Sequence, residues 1–327
     1  MRALTIVGDH LAVAERQVDK PVADQLVVEV AGAGINRGDL WQLAGRYPAP
    51  PGVPADIPGL EFAGTVLAVG PLARSFRPGD KVLGIVGGGA QAELILTTED
   101  QCVRVPPGLD LIEAGGVPEV FITAHDAMVT LAALKAGERV LVHAVGSGVG
   151  TAVVQIAVAL GCEVVGTART ASKLDRARNL GMTKGILVGA KPDPDAIADA
   201  AGPCQVVIDL VGGDYLEADL RVVDTKGRIV LVGFVAGTVA QLNMATMALK
   251  RATVIGTVLR SRPRHEKAVA IAAFAAQMVP LLERGVLRPV TERIFPLKDA
   301  QAAYDLVASD TTFGKVVLAP DSRTGLG

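Results

Sequence analysis

Two hydrophobic textures divide this chain. Up to about residue 118, short apolar runs of strand length alternate with Gly/Pro punctuation, at 1–7, 25–32, 61–69, 81–86 and 92–96. Turns at Pro78-Gly79-Asp80 and Pro106-Pro107-Gly108 break these runs and predict a compact β-rich domain. Between positions 48 and 58, five prolines in eleven residues make a stiff extended loop, which either packs on the surface or walls a pocket.

From about residue 120 the pattern changes. Apolar runs at 140–143, 163–167, 185–188, 205–210, 229–232 and 253–258 are rich in Val and Ile on both faces, as strands of a parallel sheet covered on two sides must be. Helical segments at 149–160, 172–180, 194–200 and 215–223 separate them, with Gly161 and Gly181 at C-cap positions. This alternation predicts an α/β chain with a doubly wound, six-stranded parallel sheet. After Arg262 come a helix at 265–284, a strand near 290–295, a helix at 297–307 and a strand at 314–318. That tail is too short to fold alone, so it is assigned to the first domain. The expected domains are 1–119 together with 262–327, and 120–261.

Composition narrows the possibilities. With 327 residues, half of them hydrophobic and 20% charged, the chain can bury a core in each domain. A net charge of −2 provides no field for gathering nucleic acid or anionic lipid. The three cysteines (Cys102, Cys162, Cys204) are far apart with no Cys-x-x-Cys pair, which supports neither a disulfide framework nor a zinc knuckle. No run of about 18 apolar residues appears, and the N-terminus lacks the apolar core of a signal peptide. The expectation is a soluble, cytoplasmic protein acting on a small molecule.

The richest stretch is Arg139-Val-Leu-Val-His-Ala-Val-Gly-Ser-Gly-Val-Gly150, an apolar strand running into a glycine-rich turn and then a small-residue helix. Glycines let backbone pass close to a pyrophosphate, and a helix N-terminus offers N–H groups and partial positive charge. A strict G-x-G-x-x-G is absent, because Val145 and Ser147 take two of its places. Gly146, Ser147, Gly148, Val149 and Gly150 are the candidate phosphate contacts. Nineteen residues past Gly150 stands Arg169 rather than an acid, with Lys173 close behind. Two cations there suit the 2′-phosphate of NADP, whereas an acid would bind the ribose hydroxyl of NAD. A solvated helix start is the alternative. Val211-Gly212-Gly213 and Val232-Gly233-Phe234 each follow a strand at the carboxyl edge of the sheet, where such folds bind ligands. Val211, Gly212, Gly233 and Phe234 are therefore assigned to the nicotinamide half, with turn geometry alone as the alternative.

Four stretches together carry a resemblance. They are Asn36-Arg37-Gly38-Asp39-Leu40, Pro58-Gly59-Leu60-Glu61-Phe62-Ala63-Gly64, the turn at 143–150, and Phe313-Gly314-Lys315-Val316-Val317-Leu318. The chain resembles the zinc-free quinone oxidoreductases of the medium-chain dehydrogenase/reductase superfamily. It is most similar to their apoptosis-associated, NADPH-dependent branch, on Ser147, the 36–47 segment and Leu259-Arg260-Ser261-Arg262. The resemblance implies a GroES-like catalytic domain beside a Rossmann domain, NADPH as hydride donor, and a homodimer paired through the edge strand near 253–258. It implies that Tyr47 donates a hydrogen bond to the acceptor's developing oxyanion and that Asn36 positions it, packing under the proline loop being the alternative for Tyr47. Thr123 matches a threonine near the nicotinamide, or else is a core residue. Lys315 is assigned to a cofactor phosphate, with a plain surface lysine as the alternative.

Zinc-dependent relatives carry a cysteine where this chain has Arg37, and a His-Glu pair where it has Leu60-Glu61, so no metal is expected. Departures exist: Val188 replaces a tyrosine that often packs on the adenosine phosphate, and His125 replaces a large aromatic. His10, His143 and His265 are read as structural or surface residues. The acceptor is expected to be a quinone, or else an enone or enal with an activated C=C bond. A low-turnover NADPH-binding sensor is the non-enzymatic alternative.

Overall fold

The computed structural model describes residues 1–320; residues 321–327 of the predicted 262–327 segment lie outside the described residues. In chain order the elements begin with β1 (Arg2–Val7), β2 (His10–Glu15), β3 (Gln25–Gly34), α1 (Arg37–Leu43), β4 (Glu61–Val69), β5 (Lys81–Ile85), β6 (Leu94–Thr98) and β7 (Cys102–Arg104). Then come α2 (Pro118–His125), β8 (Arg139–Val142), α3 (Gly148–Ala159), β9 (Glu163–Ala168), α4 (Ala171–Arg178), β10 (Lys184–Leu187) and α5 (Pro194–Ala201). The chain continues through β11 (Cys204–Asp209), α6 (Tyr215–Val222), β12 (Val223–Leu231), α7 (Met244–Lys250) and β13 (Thr253–Gly256). It ends with α8 (Arg264–Glu283), β14 (Thr291–Pro296), α9 (Ala300–Ala308) and β15 (Lys315–Ala319).

These elements form two compact units, one built from Met1–Ile122 with the chain from Leu259 on, the other from Thr123–Val258. In the first, β14-β15-β3-β4-β5-β7 lie side by side, with β6 paired to β3, and all pairs but β14–β15 are antiparallel. Alternation along β3 sends Leu26, Val28 and Val30 into a core with Phe62, Val66, Val82 and Ile95. A second core gathers Leu4, Ile35, Phe295, Tyr304, Val316 and Leu318.

The second unit is a six-stranded parallel sheet in the order β10-β9-β8-β11-β12-β13, the doubly wound arrangement its Val/Ile runs predict. Leu141, Val165, Val207 and Ile229 of four strands pack with Ile197, Tyr215 and Leu220 of α5 and α6. This order leaves the strand β8 carboxyl end, and with it the glycine turn, next to that of β11.

Some elements depart from the sequence expectation. The strand expected at 92–96 runs at Leu94–Thr98, because Ala92 makes an isolated bridge to Ala3. α1 was hidden by its composition, Arg-Gly-Asp-Leu-Trp-Gln-Leu, which has no helical stripe; a Cβ on Gly38 would stand 3.2 Å from the Tyr47 ring, so packing fixes the glycine. The proline loop packs over Gly87, where a Cβ would meet Pro50 at 2.8 Å.

Candidate active-site residues and cofactor cradle

In the first unit, chemistry gathers where β3 ends. Asn36 starts α1, and its backbone N–H donates to Asp39 Oδ2 at 2.8 Å. Its carboxamide is fully engaged: Oδ1 accepts from Lys315 Nζ at 2.7 Å, and Nδ2 donates to Glu61 Oε1 at 3.0 Å. Lys315 Nζ also lies 2.7 Å from Glu61 Oε1 and donates to the Ile35 carbonyl at 2.7 Å. The second oxygen of Glu61 accepts the backbone N–H of Glu119 at 2.8 Å. Glu61 is wholly buried, so this is a buried ion pair bridged by an amide. Burial pushes the Asp39 carboxyl up to about 6, against the N–H groups of Asn36 and Gly59.

Tyr47 is half-buried and oriented by its neighbours. The Arg260 guanidinium lies over its ring at 4.5 Å, and Trp41 meets it edge-on. Arg260 also donates to the Tyr47 carbonyl (2.9 Å), the Gly87 carbonyl (2.8 Å) and Gln42 Oε1 (2.5 Å), tying the 47–55 loop to α1. Burial, and then the negative charge of Glu119, raises the phenol above its ordinary range, against Arg260. A phenol so raised keeps its proton through neutral pH and can donate it.

Arg37, Leu60 and Glu61, which the resemblance sets against zinc ligands, are otherwise engaged. Arg37 is ion-paired with Asp310, Leu60 is buried, and Glu61 is surrounded by nitrogen donors. Among the described residues, no group of three His, Cys, Asp or Glu is placed to hold a metal ion.

In the second unit, β8 runs into the turn and α3 begins at Gly148. Ser147 caps it, its hydroxyl accepting the Gly150 N–H at 3.1 Å. The cap leaves the first helical N–H groups, those of Gly148 and Val149, outside the helix's own ladder. A Cβ on Gly150 would lie 2.6 Å from the Ala144 carbonyl, and one on Gly146 would lie 2.8 Å from the Lys173 stem. Lys173 of α4 is thereby packed onto the turn, and Arg169 is exposed beyond β9. A Cβ on Gly212 would lie 2.9 Å from the Gly237 carbonyl, and one on Gly233 would lie 2.4 Å from that of Leu210. Close loop packing accounts for both glycines. Val211 is half-buried and Phe234 is 37% exposed beside them.

The structure thus brings Gly146, Ser147, Gly148, Val149, Gly150 and Lys173 to one turn, and Val211, Gly212, Gly233 and Phe234 to one loop pair. Thr123 is buried, its Oγ1 without a hydrogen-bond partner among the described residues. The alternative of a plain surface lysine at 315 is corrected: it heads a strand buried along its whole length, and its ammonium already serves three acceptors, Glu61, Asn36 and the Ile35 carbonyl. Sequence reasoning missed Glu61 as its partner, along with Glu119, Asp209 and Asp219. The available signal was a lone charge inside an otherwise apolar run, as at the head of β4 and β15.

Comparison with known proteins agrees with this layout. Residues 22–107 match the model of the alcohol dehydrogenase GroES-like domain, and residues 148–276 that of the zinc-binding dehydrogenases. The quinone oxidoreductase of Lama guanicoe is 32% identical over 97% of either chain. The solved quinone oxidoreductase of Pseudomonas syringae pv. Tomato DC3000 superposes with a TM-score of 0.86 at 27% identity, covering 98% of this chain and 99% of that one. The CurK enoyl reductase structure gives 0.82 at 26% identity, with 98% and 99% covered. The Spectinabilin polyketide synthase system protein NorB of Streptomyces orinoci is 34% identical over 90% of this chain, which spans only 13% of that longer protein.

Proposed function

From a chain that belongs to the medium-chain dehydrogenase/reductase superfamily and is related to its quinone oxidoreductases, we propose an NADPH-dependent oxidoreductase that reduces a quinone without zinc. The observation that carries this reading is the capped glycine turn, where Ser147 caps α3, the Gly148 and Val149 N–H groups stay outside the helix ladder, and close packing against Ala144 and the Lys173 stem leaves no room for side chains at Gly150 and Gly146. That cradle fits a dinucleotide pyrophosphate: the Gly146–Gly150 backbone would bind it, with Arg169 and Lys173 on the 2′-phosphate and Val211, Gly212, Gly233, Phe234 and Thr123 toward the nicotinamide.

When bound, NADPH supplies the hydride. The chain supplies orientation and a proton. Tyr47, held by Arg260 and kept protonated, donates to the oxygen that gains charge on the acceptor, and Asn36, itself fixed by Lys315 and Glu61, positions that acceptor. Zinc independence is supported by Arg37 and Leu60 at the ligand positions and by the ammonium already on Glu61. Homodimerisation through β13, an edge strand, is part of the same reading.

Arg169→Asp is expected to invert the preference between NADPH and NADH by at least about tenfold, about 1.4 kcal/mol. Unchanged preference would remove Arg169 from phosphate recognition. The likeness to CurK enoyl reductase favours a second reading, reduction of an activated C=C bond. Steady-state turnover on a quinone panel against an enone panel separates the two, and equal or greater enone turnover would decide for the second.

A further inference from the structure

Beneath the loops of the second unit runs a buried polar chain that hydride transfer does not use. Thr167 Oγ1 of β9 lies 3.0 Å from His143 Nδ1, and His143 Nε2 lies 2.7 Å from Asp219 Oδ1 of α6. Asp219 is in turn within hydrogen-bonding reach of Asp209 at the end of β11. Asp209 Oδ1 accepts the N–H groups of Val211 and Gly212 at 2.8 and 2.9 Å, and its carbonyl accepts those of Val232 and Gly233. His143, Asp209 and Asp219 are all 0% exposed. The chain therefore ends on the two loops assigned to the nicotinamide half.

The donors and acceptors can be assigned link by link. The Thr167 hydroxyl donates to Nδ1, and Nε2–H donates to Asp219 Oδ1, which leaves the imidazole neutral. Burial supports that state, pushing the imidazole down to about 4. Two oxygens remain, Asp209 Oδ2 and Asp219 Oδ2, both closed to solvent and neither with a donor. Ionised, each can only accept, and two such neighbours in a dry site would repel. We infer that Asp209 and Asp219 share one proton, and that this acid–carboxylate pair is what positions the 211–213 turn for the cofactor.

The other groups facing the pair are His143 after β8, Tyr215 of α6, whose ring meets the imidazole edge-on at 4.7 Å, and Arg169 beyond β9, whose charge acts on Tyr215. Burial, and then Asp219, raises Asp209 to about 7; burial also raises Asp219 well above the ordinary carboxylate range. The folded chain therefore holds a proton that the unfolded chain releases near about 4. The pair's contribution is complete below that value and is lost as pH rises through 7 and beyond.

The role of the turn rests on the cofactor reading above; the shared proton does not. Asp219→Asn supplies a permanent N–H donor to Asp209 and removes the charge. Thermal midpoint and NADPH affinity, the latter by nucleotide fluorescence, would be followed from pH 6 to 9.5. The wild-type protein should lose stability and bind NADPH about tenfold more weakly at the alkaline end, while Asp219→Asn stays within about twofold. His143→Gln should keep the alkaline step, since the step belongs to the carboxyl pair. Equal alkaline loss in wild type and Asp219→Asn, or loss of the step in His143→Gln, would overturn the inference. If the wild type bound no NADPH at any pH, the cofactor reading would fall, and the stability curves would still decide the shared proton.

Discussion

The two units keep carboxylates away from water by opposite means. In the first, the wholly buried Glu61 has an ammonium 2.7 Å away, an amide on the same oxygen and a backbone N–H on the other. In the second, Asp209 and Asp219 are as deeply buried, but their hydrogen-bond partners among the described residues are backbone N–H groups and an imidazole that burial keeps neutral. One region balances charge with charge, and the other with a proton. The first should be vulnerable to loss of a side chain, and the second to a change of pH.

The largest test removes the cation. Lys315→Met takes the cation away from the wholly buried Glu61, and breaking a buried pair costs about 3–5 kcal/mol. Trp41, the single tryptophan, lies in the first unit, so its fluorescence in a urea titration reports that unit. The Glu61→Gln/Lys315→Met double variant should recover most of the loss. A single-variant effect below about 1 kcal/mol would break the comparison on its first side. Removing a neutral link in the second unit should matter less. Thr167→Val takes away the hydroxyl on His143 Nδ1 and leaves a buried ring nitrogen unpaired, for about 1–2 kcal/mol by circular dichroism. Unchanged stability would cut the chain at its first link.

Much of the fold was legible because its signals are local. The runs at 61–69 and 205–210 matched β4 and β11 closely, since strand periodicity and flanking turns sit in the same few residues. The glycine turn was legible for the same reason, and α1 and α7 were not, being seven residues each, about two turns, too short for a repeating apolar period. The buried networks escaped because their partners are distant: Asn36 and Lys315 are 279 positions apart, and His143 and Asp219 are 76. Lys315 heads a strand buried along its whole length, so its place in the core follows from the strand's burial and its partner from tertiary packing alone.

Glu119 tests whether the contrast is as sharp as Glu61 and Asp219 make it. It lies in the first unit, among Lys315 and Lys267, yet its Oε2 is closed off without a partner. Burial first, and then the Glu61 charge, pushes its carboxyl up to about 8, against the pull of both lysines. Glu119 is thus protonated at pH 7, a proton-balanced acid inside the charge-balanced region. Glu119→Gln should then change stability by less than about 0.5 kcal/mol at pH 7, because no charged partner is lost. The folded state holds a proton that the unfolded chain gives up near about 4.3, so the wild-type contribution disappears as pH rises through 8. From pH 7 to 9.5 the wild-type curve, followed at Trp41, should fall below that of the variant. Parallel curves, or a large loss at pH 7, would mean that Glu119 is ionised and held by the lysines. The first unit would then rely on counter-ions throughout.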